Sequence, residues 1–110
     1  LSRSAIERLH AAVLSRGSDG LQFPRTAKLL RAGSSQIAKK LAEEAVEVAL
    51  DTVKNDRAAV IAESADLLYH LVVLWAALGV WPVEVWEEME RREDILGIAG
   101  KMPKSSESAG

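Results

Sequence analysis

Four acids carry the chemical interest of this chain. Glu44 and Glu47 are three residues apart, and so are Glu63 and Asp66. On a helix that spacing sends both members of a pair out from one side. Other site chemistries are closed off by composition. With no cysteine there is no disulfide framework, no thiolate zinc site and no cysteine nucleophile. Two histidines, His10 and His70, are too few for most histidine-based metal sites. Glu7-Arg8-Leu9-His10 matches E-x-x-H, but a di-iron bundle needs two such motifs plus two further glutamates, and this is the one match. Glu7 is better explained by an S-x-x-E capping box from Ser4. A metal in this chain would be held by carboxylates, which selects a hard cation, Mg²⁺ or Mn²⁺.

Charge order along the chain sharpens the point. From Gly20 to Ala42 there are five basic residues (Arg25, Lys28, Arg31, Lys39, Lys40) and no acid. From Glu43 to Asp66 there are seven acids against only Lys54 and Arg57. A solvated helix face is the ordinary reading of such a run. Yet Glu43 to Glu47 and Glu47 to Asp51 are like-charge i,i+4 pairs, each destabilising by some tenths of a kcal/mol. A helix selected for stability alone would interleave lysines there. Glu63, Asp66 and His70 fall within roughly a 60° arc of a second, strongly apolar helix. Acids beside so much apolar surface need a partner. An internal salt bridge and a bound divalent cation both satisfy that need, and the arc alone leaves both open.

The elements that position these groups are helices. Ile6, Leu9, Val13 and Leu14 recur at helical spacing after the capping box, giving a first helix that ends near Arg16. Gly17-Ser18-Asp19-Gly20 reads as a loop, and Arg25 to Ala32 as a short helical piece after Phe23-Pro24, stopped by Gly33. Ser34 or Ser35 is expected to cap a long helix to about Lys54. Asn55-Asp56 breaks it and caps the next, which runs to about Leu78 with Gly79 as its stop. Pro82 suits the first position of a last helix through about Asp94. The reading is all-α, with residues 1–96 as one domain and 97–110 as a flexible tail. The two long helices, joined at Asn55-Asp56, should run antiparallel as a hairpin. Glu44 and Glu47 then lie as far before the turn as Glu63 and Asp66 lie after it. Equal distance brings all four carboxylates to one spot, and that match favours a metal.

Glu43-Glu44-Ala45-Val46-Glu47, fifteen residues, then Glu63-Ser64-Ala65-Asp66 resembles the EExxE…ExxD signature of the all-α nucleotide pyrophosphohydrolases, the MazG-like superfamily. Within it, Thr26-Ala27-Lys28-Leu29-Leu30, the stretch Ile37 to Glu47, and Ala62 to His70 followed by Leu71-Val72-Val73-Leu74 are similar to the phosphoribosyl-ATP pyrophosphohydrolases of histidine biosynthesis. The resemblance spans about residues 3 to 93. Phe23-Pro24-Arg25 departs from a Ser-Tyr-like lead into Thr26, and Trp81 stands where a Ser or Thr cap usually precedes the last helix. Neither departure touches the acids. The resemblance implies Mg²⁺-dependent hydrolysis of phosphoribosyl-ATP to phosphoribosyl-AMP and pyrophosphate. Glu44, Glu47, Glu63 and Asp66 would be metal ligands and catalytic groups. Lys28, Lys39 and Lys40 would offer charge to a substrate with five or more negative charges, although each also reads as a solvated side chain. Lys40, one turn from Glu44, matches the family position. His70 reads either as a substrate or ligand-supporting group or as a satisfied core histidine.

Two further readings compete. The acidic motif is shared with housekeeping enzymes that hydrolyse nucleoside triphosphates, and a non-enzymatic helical module could use its acids as ion pairs. A net charge of −2 argues against nucleic-acid binding. Leu67 to Val83 holds no acid, Lys or Arg, but its Gly79 and Pro82 read as a helix stop and a new start rather than a membrane span. With no apolar leader after Leu1, a cytoplasmic location is expected. So is a homodimer, because the apolar helix around Val73, Trp75 and Leu78, with Trp81 and Trp86 nearby, exceeds what so few helices can cover.

Overall fold

The structure, a computed structural model, describes residues 4–16 and 24–96. The loop expected at Gly17–Gly20 and the tail beyond Gly97 lie outside the described residues. Five helices form and no strand is found among the described residues: α1 (Ala5–Arg16), α2 (Pro24–Ala32), α3 (Ser34–Val53), α4 (Arg57–Leu78) and α5 (Pro82–Leu96). The all-α reading holds. The described helices fall into two units, α1–α4 with Val80 in one and α5, preceded by Trp81, in the other.

Local chemistry sets most boundaries. At α1, Ser4 Oγ accepts from the Glu7 N–H at 3.2 Å, and Glu7 Oε1 accepts from the Ser4 N–H at 3.3 Å and from its hydroxyl at 2.9 Å. That reciprocal box engages Glu7 in a cap. One boundary departs from the sequence reading: neither Ser34 nor Ser35 caps α3. Gly33 precedes the helix at φ 94° and ψ 167°, accepting from the Ile37 N–H at 3.1 Å. A one-residue link between α2 and α3 forces a backbone state that is essentially restricted to glycine. The serines therefore fall inside the first turn.

The α3–α4 hairpin is closed at both of its local ends. The Asp56 N–H donates to the Asp51 carbonyl and the Asn55 N–H to the Thr52 carbonyl, each at 3.0 Å, with Asn55 left-handed at φ 56°. This Schellman pair satisfies the last carbonyls of α3. Asp56 then caps α4 by accepting from the Ala59 N–H at 3.1 Å. Three residues thus end one helix and start the next, which fixes the register between them. Gly79 (φ 73°) closes α4 the same way, with Val80 N–H donating to the Trp75 carbonyl at 2.8 Å.

Packing centres on α4, which contacts α1, α2 and, most extensively, α3. Val13, Leu29, Ile37 and Val73 form the buried cluster, with Leu9, Leu30, Tyr69 and Leu74 against it. Val73 is fully buried. It belongs to the chain's own core and not to the uncovered face to which its hydrophobicity assigned it. Buried His10 donates from Nε2 to the Val80 carbonyl at 3.0 Å. By length and composition α4 could cross a membrane. It nonetheless buries His70, Val72 and Val73 inside this unit and carries Glu63 and Asp66.

In α5, Pro82 takes the first helical position. Trp81 supplies no side-chain cap, but its N–H donates to Glu84 Oε2 at 2.8 Å. Half of a capping box therefore survives without a Ser or Thr. Glu88 is gripped by Arg91 and Arg92 one turn on.

Candidate active site

The hairpin register brings Glu44 of α3 against Glu63 and Asp66 of α4. One carboxylate oxygen from each lies within 4.8 Å of the others, and all three residues are half-buried. Crowding has an electrostatic signature. The Glu63 carboxyl is held above the usual carboxylate range, first by its hydrogen bond with Glu44, then by desolvation, then by the negative charges of Glu44, Asp66 and Asp51. Two carboxyls this close share a proton when nothing cationic separates them. An all-oxygen donor set of this kind fits a hard divalent cation, which Glu44, Glu63 and Asp66 would hold.

Glu47, the fourth acid of the motif, is exposed and stands outside that group. The helical wheel explains why. Relative to Glu44, Glu47 is turned by about 60°, whereas Asp51 is turned by only about 20°. Asp51 is half-buried and acts on Glu63 through its charge. The signal was available in the i,i+7 spacing from Glu44, but Asp51 entered the sequence reading only as a like-charge neighbour of Glu47.

Beside the acids lies a cleft of about 430 Å³. Arg25, Lys28 and Lys40 supply its positive side, Leu29 and Ala32 its apolar wall, and Gln36, Glu44 and His70 the rest. Glu44 belongs to both cleft and acid cluster, so the two are continuous. Lys28 and Lys40 line the cleft as their sequence positions suggested. Lys39 is exposed and does not. It is turned by about 100° from Lys40. Lys40 also stands 3.8 Å from Glu43, both side chains about half exposed, an ion pair of small energetic value.

His70 is 2% exposed. Its Nδ1 lies 2.8 Å from the Asp66 carbonyl. A carbonyl only accepts, so Nδ1 carries the proton, and in the neutral ring Nε2 holds the lone pair. The imidazole is thereby a satisfied core histidine and a cleft wall at once. Arg25 and Gln36 were not singled out from sequence as site residues. Arg25 comes from the short helix α2, and its reach to Asp66 (3.8 Å) depends on how α2 packs on α4.

Comparison with known proteins follows the same residues. The model of the phosphoribosyl-ATP pyrophosphohydrolase family matches residues 6–93. Among curated proteins, the chain is 57% identical over 102 residues to phosphoribosyl-ATP pyrophosphatase 2 of Bradyrhizobium diazoefficiens, covering 93% of this chain and 76% of that one. It is 56% identical over 101 residues to the protein of the same name from Rhodopseudomonas palustris, covering 92% and 77%. It is 45% identical over 106 residues to phosphoribosyl-ATP pyrophosphatase of Azospirillum brasilense, covering 96% of each.

Proposed function

This chain belongs to the phosphoribosyl-ATP pyrophosphohydrolase family, and from that premise we propose that it hydrolyses phosphoribosyl-ATP to phosphoribosyl-AMP and pyrophosphate in histidine biosynthesis, with Mg²⁺ as its metal. It is a hydrolase of phosphoric anhydrides. The observation that carries the reading is the continuity of two features of opposite sign. Oxygens of Glu44, Glu63 and Asp66 converge within 4.8 Å, and the adjoining cleft is walled by Arg25, Lys28 and Lys40.

Each half has work to do in removing pyrophosphate from a triphosphate. Glu44, Glu63 and Asp66 would hold the metal, with Glu47 as the motif's fourth ligand and Asp51 adding negative potential from the next turn. Mn²⁺ would fit the same oxygen donors. The bound ion would supply phosphate charge neutralisation and a water of lowered pKa. Lys28 and Lys40 bind the polyphosphate, where fixed cations stabilise charge as the anhydride opens. Leu29 and Ala32 offer an apolar surface for a purine ring, and His70 Nε2 is an acceptor for a substrate hydroxyl. A carboxylate left free by the metal would accept the proton of the attacking water. The multiply charged substrate and product do not cross membranes unaided, which supports a cytoplasmic site of action. Uncovered apolar faces on α3 and α4 support a homodimer.

The test is turnover of purified protein on phosphoribosyl-ATP and on ordinary nucleoside triphosphates, with Mg²⁺ and with EDTA. Mg²⁺-dependent release of pyrophosphate from phosphoribosyl-ATP in clear preference is the expected result. Preference for ATP or dATP would transfer the chain to a housekeeping role, and no Mg²⁺ binding with no turnover would reduce it to a helical module.

A further inference from the structure

Among the cations that line the cleft, Arg25 meets both an acid and an aromatic ring. Its side chain is 61% exposed and its ion pair with Asp66 is long, 3.8 Å. So open a pair does little to hold a flexible side chain in place. The aromatic face of Tyr69 adds a second hold: the guanidinium carbon lies 4.6 Å from the ring centroid, where the ring quadrupole attracts a flat cation. Tyr69 is itself tied back to α2, its hydroxyl 2.6 Å from Thr26 Oγ1. Thr26 is the residue after Arg25. Platform and cation are therefore fastened to the same turn of backbone. The ring also meets His70 edge-on, centroids 5.1 Å apart, so one side chain of α4 contacts two residues that line the cleft.

We propose that Arg25 is a phosphate-binding residue of this site and that Tyr69 is the positioning residue that holds it at the border between cleft and acid cluster. The inference rests on the pyrophosphohydrolase reading and adds to it a specific division of labour. When Asp66 is engaged by a divalent cation, its attraction for the guanidinium falls. The ring of Tyr69, fixed through Thr26, then keeps Arg25 beside the cleft with its nitrogen fork free to meet two phosphate oxygens. Lysine would lack both the flat face for the ring and the fork for the anion.

Binding of inorganic pyrophosphate in Mg²⁺, measured by calorimetry, is read beside steady-state kinetics on phosphoribosyl-ATP. Arg25→Gln is expected to weaken pyrophosphate binding and raise KM roughly tenfold or more while kcat moves less than about threefold. Tyr69→Leu reproduces several-fold of that loss, and the double variant is no worse than Arg25→Gln alone, because the ring acts through the cation. Arg25→Lys and Tyr69→Phe serve even if Tyr69→Leu does not fold. The lysine variant loses several-fold in pyrophosphate affinity, and the phenylalanine variant, which keeps the ring, stays nearer wild type. Unchanged pyrophosphate affinity in Arg25→Gln overturns the phosphate role. Full additivity of the two losses, or Arg25→Lys binding like wild type, overturns the positioning role. Arg25-dependent pyrophosphate binding without phosphoribosyl-ATP turnover would support this inference and remove the substrate reading, whereas turnover with a normal KM in Arg25→Gln would remove the inference alone.

Discussion

Glu63 is the residue at which electrostatic cost and function meet. Its carboxyl is crowded by Glu44, Asp66 and Asp51 and titrates above its ordinary range. An isosteric amide removes charge without removing volume. Glu63→Gln and Asp66→Asn should therefore each abolish turnover while the metal-free protein melts no lower, and for Glu63→Gln higher, at neutral pH in EDTA. Near-normal turnover in either variant would refute the carboxylate centre. For Glu47→Gln the expected loss of turnover is the same, since the motif places Glu47 among the ligands even though it stands outside the tight group. Lys40→Ala should raise KM several-fold, on the scale of one charge-assisted phosphate contact, and leave Mg²⁺ affinity nearly unchanged. An unaltered KM would make Lys40 a solvated partner of Glu43. Which of these residues sequence could name follows from how each is held. Glu44 lies as far before Asn55 as Asp66 lies after it, with Glu63 one turn nearer, so chain arithmetic alone brings them together. Arg25 and Tyr69 meet because α2 leans on α4, and no spacing within either helix encodes that contact.

At the scale of elements, boundaries were legible wherever one residue's own chemistry decides them: the Ser4–Glu7 box, the Asp56 cap, Gly79, Pro82. The start of α3 was misread because serine is a good cap in general, and the geometry demanded by a one-residue link from α2 was not visible in the string. Gly33 carries that geometry at φ 94°, and a Cβ there would meet nothing within 4 Å. Gly33→Ala is thus a test of backbone conformation free of steric clash. It should cost about 1–3 kcal/mol in urea unfolding, and because it swings α2 against α3 it should also raise KM. A neutral effect would show that the link relaxes. In α5, Glu88 titrates at about 2, below its ordinary 4.5, because Arg91 and then Arg92 hydrogen-bond its carboxylate. A depressed acid stabilises the folded state above its unfolded pKa and loses that contribution as pH falls through the folded one. Helical signal from α5 should accordingly weaken between pH 4.5 and about 2, and Glu88→Gln should flatten that part of the acid titration followed by circular dichroism.

For the whole molecule, the exposed apolar residues are what motivate the proposed homodimer. Of the residues that the sequence assigned to an uncovered face, Leu78 and Trp81 are exposed and Val73 is not. Val73 is consumed by the chain's own core, while Leu78 stays 59% exposed. The larger uncovered surfaces are elsewhere. Val46, Leu50 and Val53 at i, i+4 and i+7 mark one face of α3, and Ile61 and Leu68 at i and i+7 mark one face of α4, each between 44% and 84% exposed. Periodicity reveals that such a face exists, but not which of two apolar faces the core takes. A second copy of the chain would cover this surface. Burying several hundred Å² per chain would contribute on the order of 10 kcal/mol before association costs. Light scattering should therefore give about twice the chain mass. Leu50→Glu with Ile61→Lys should shift the population toward monomer and lower the melting temperature. A wild-type chain that scatters as a stable, active monomer of 11.9 kDa would overturn the dimer.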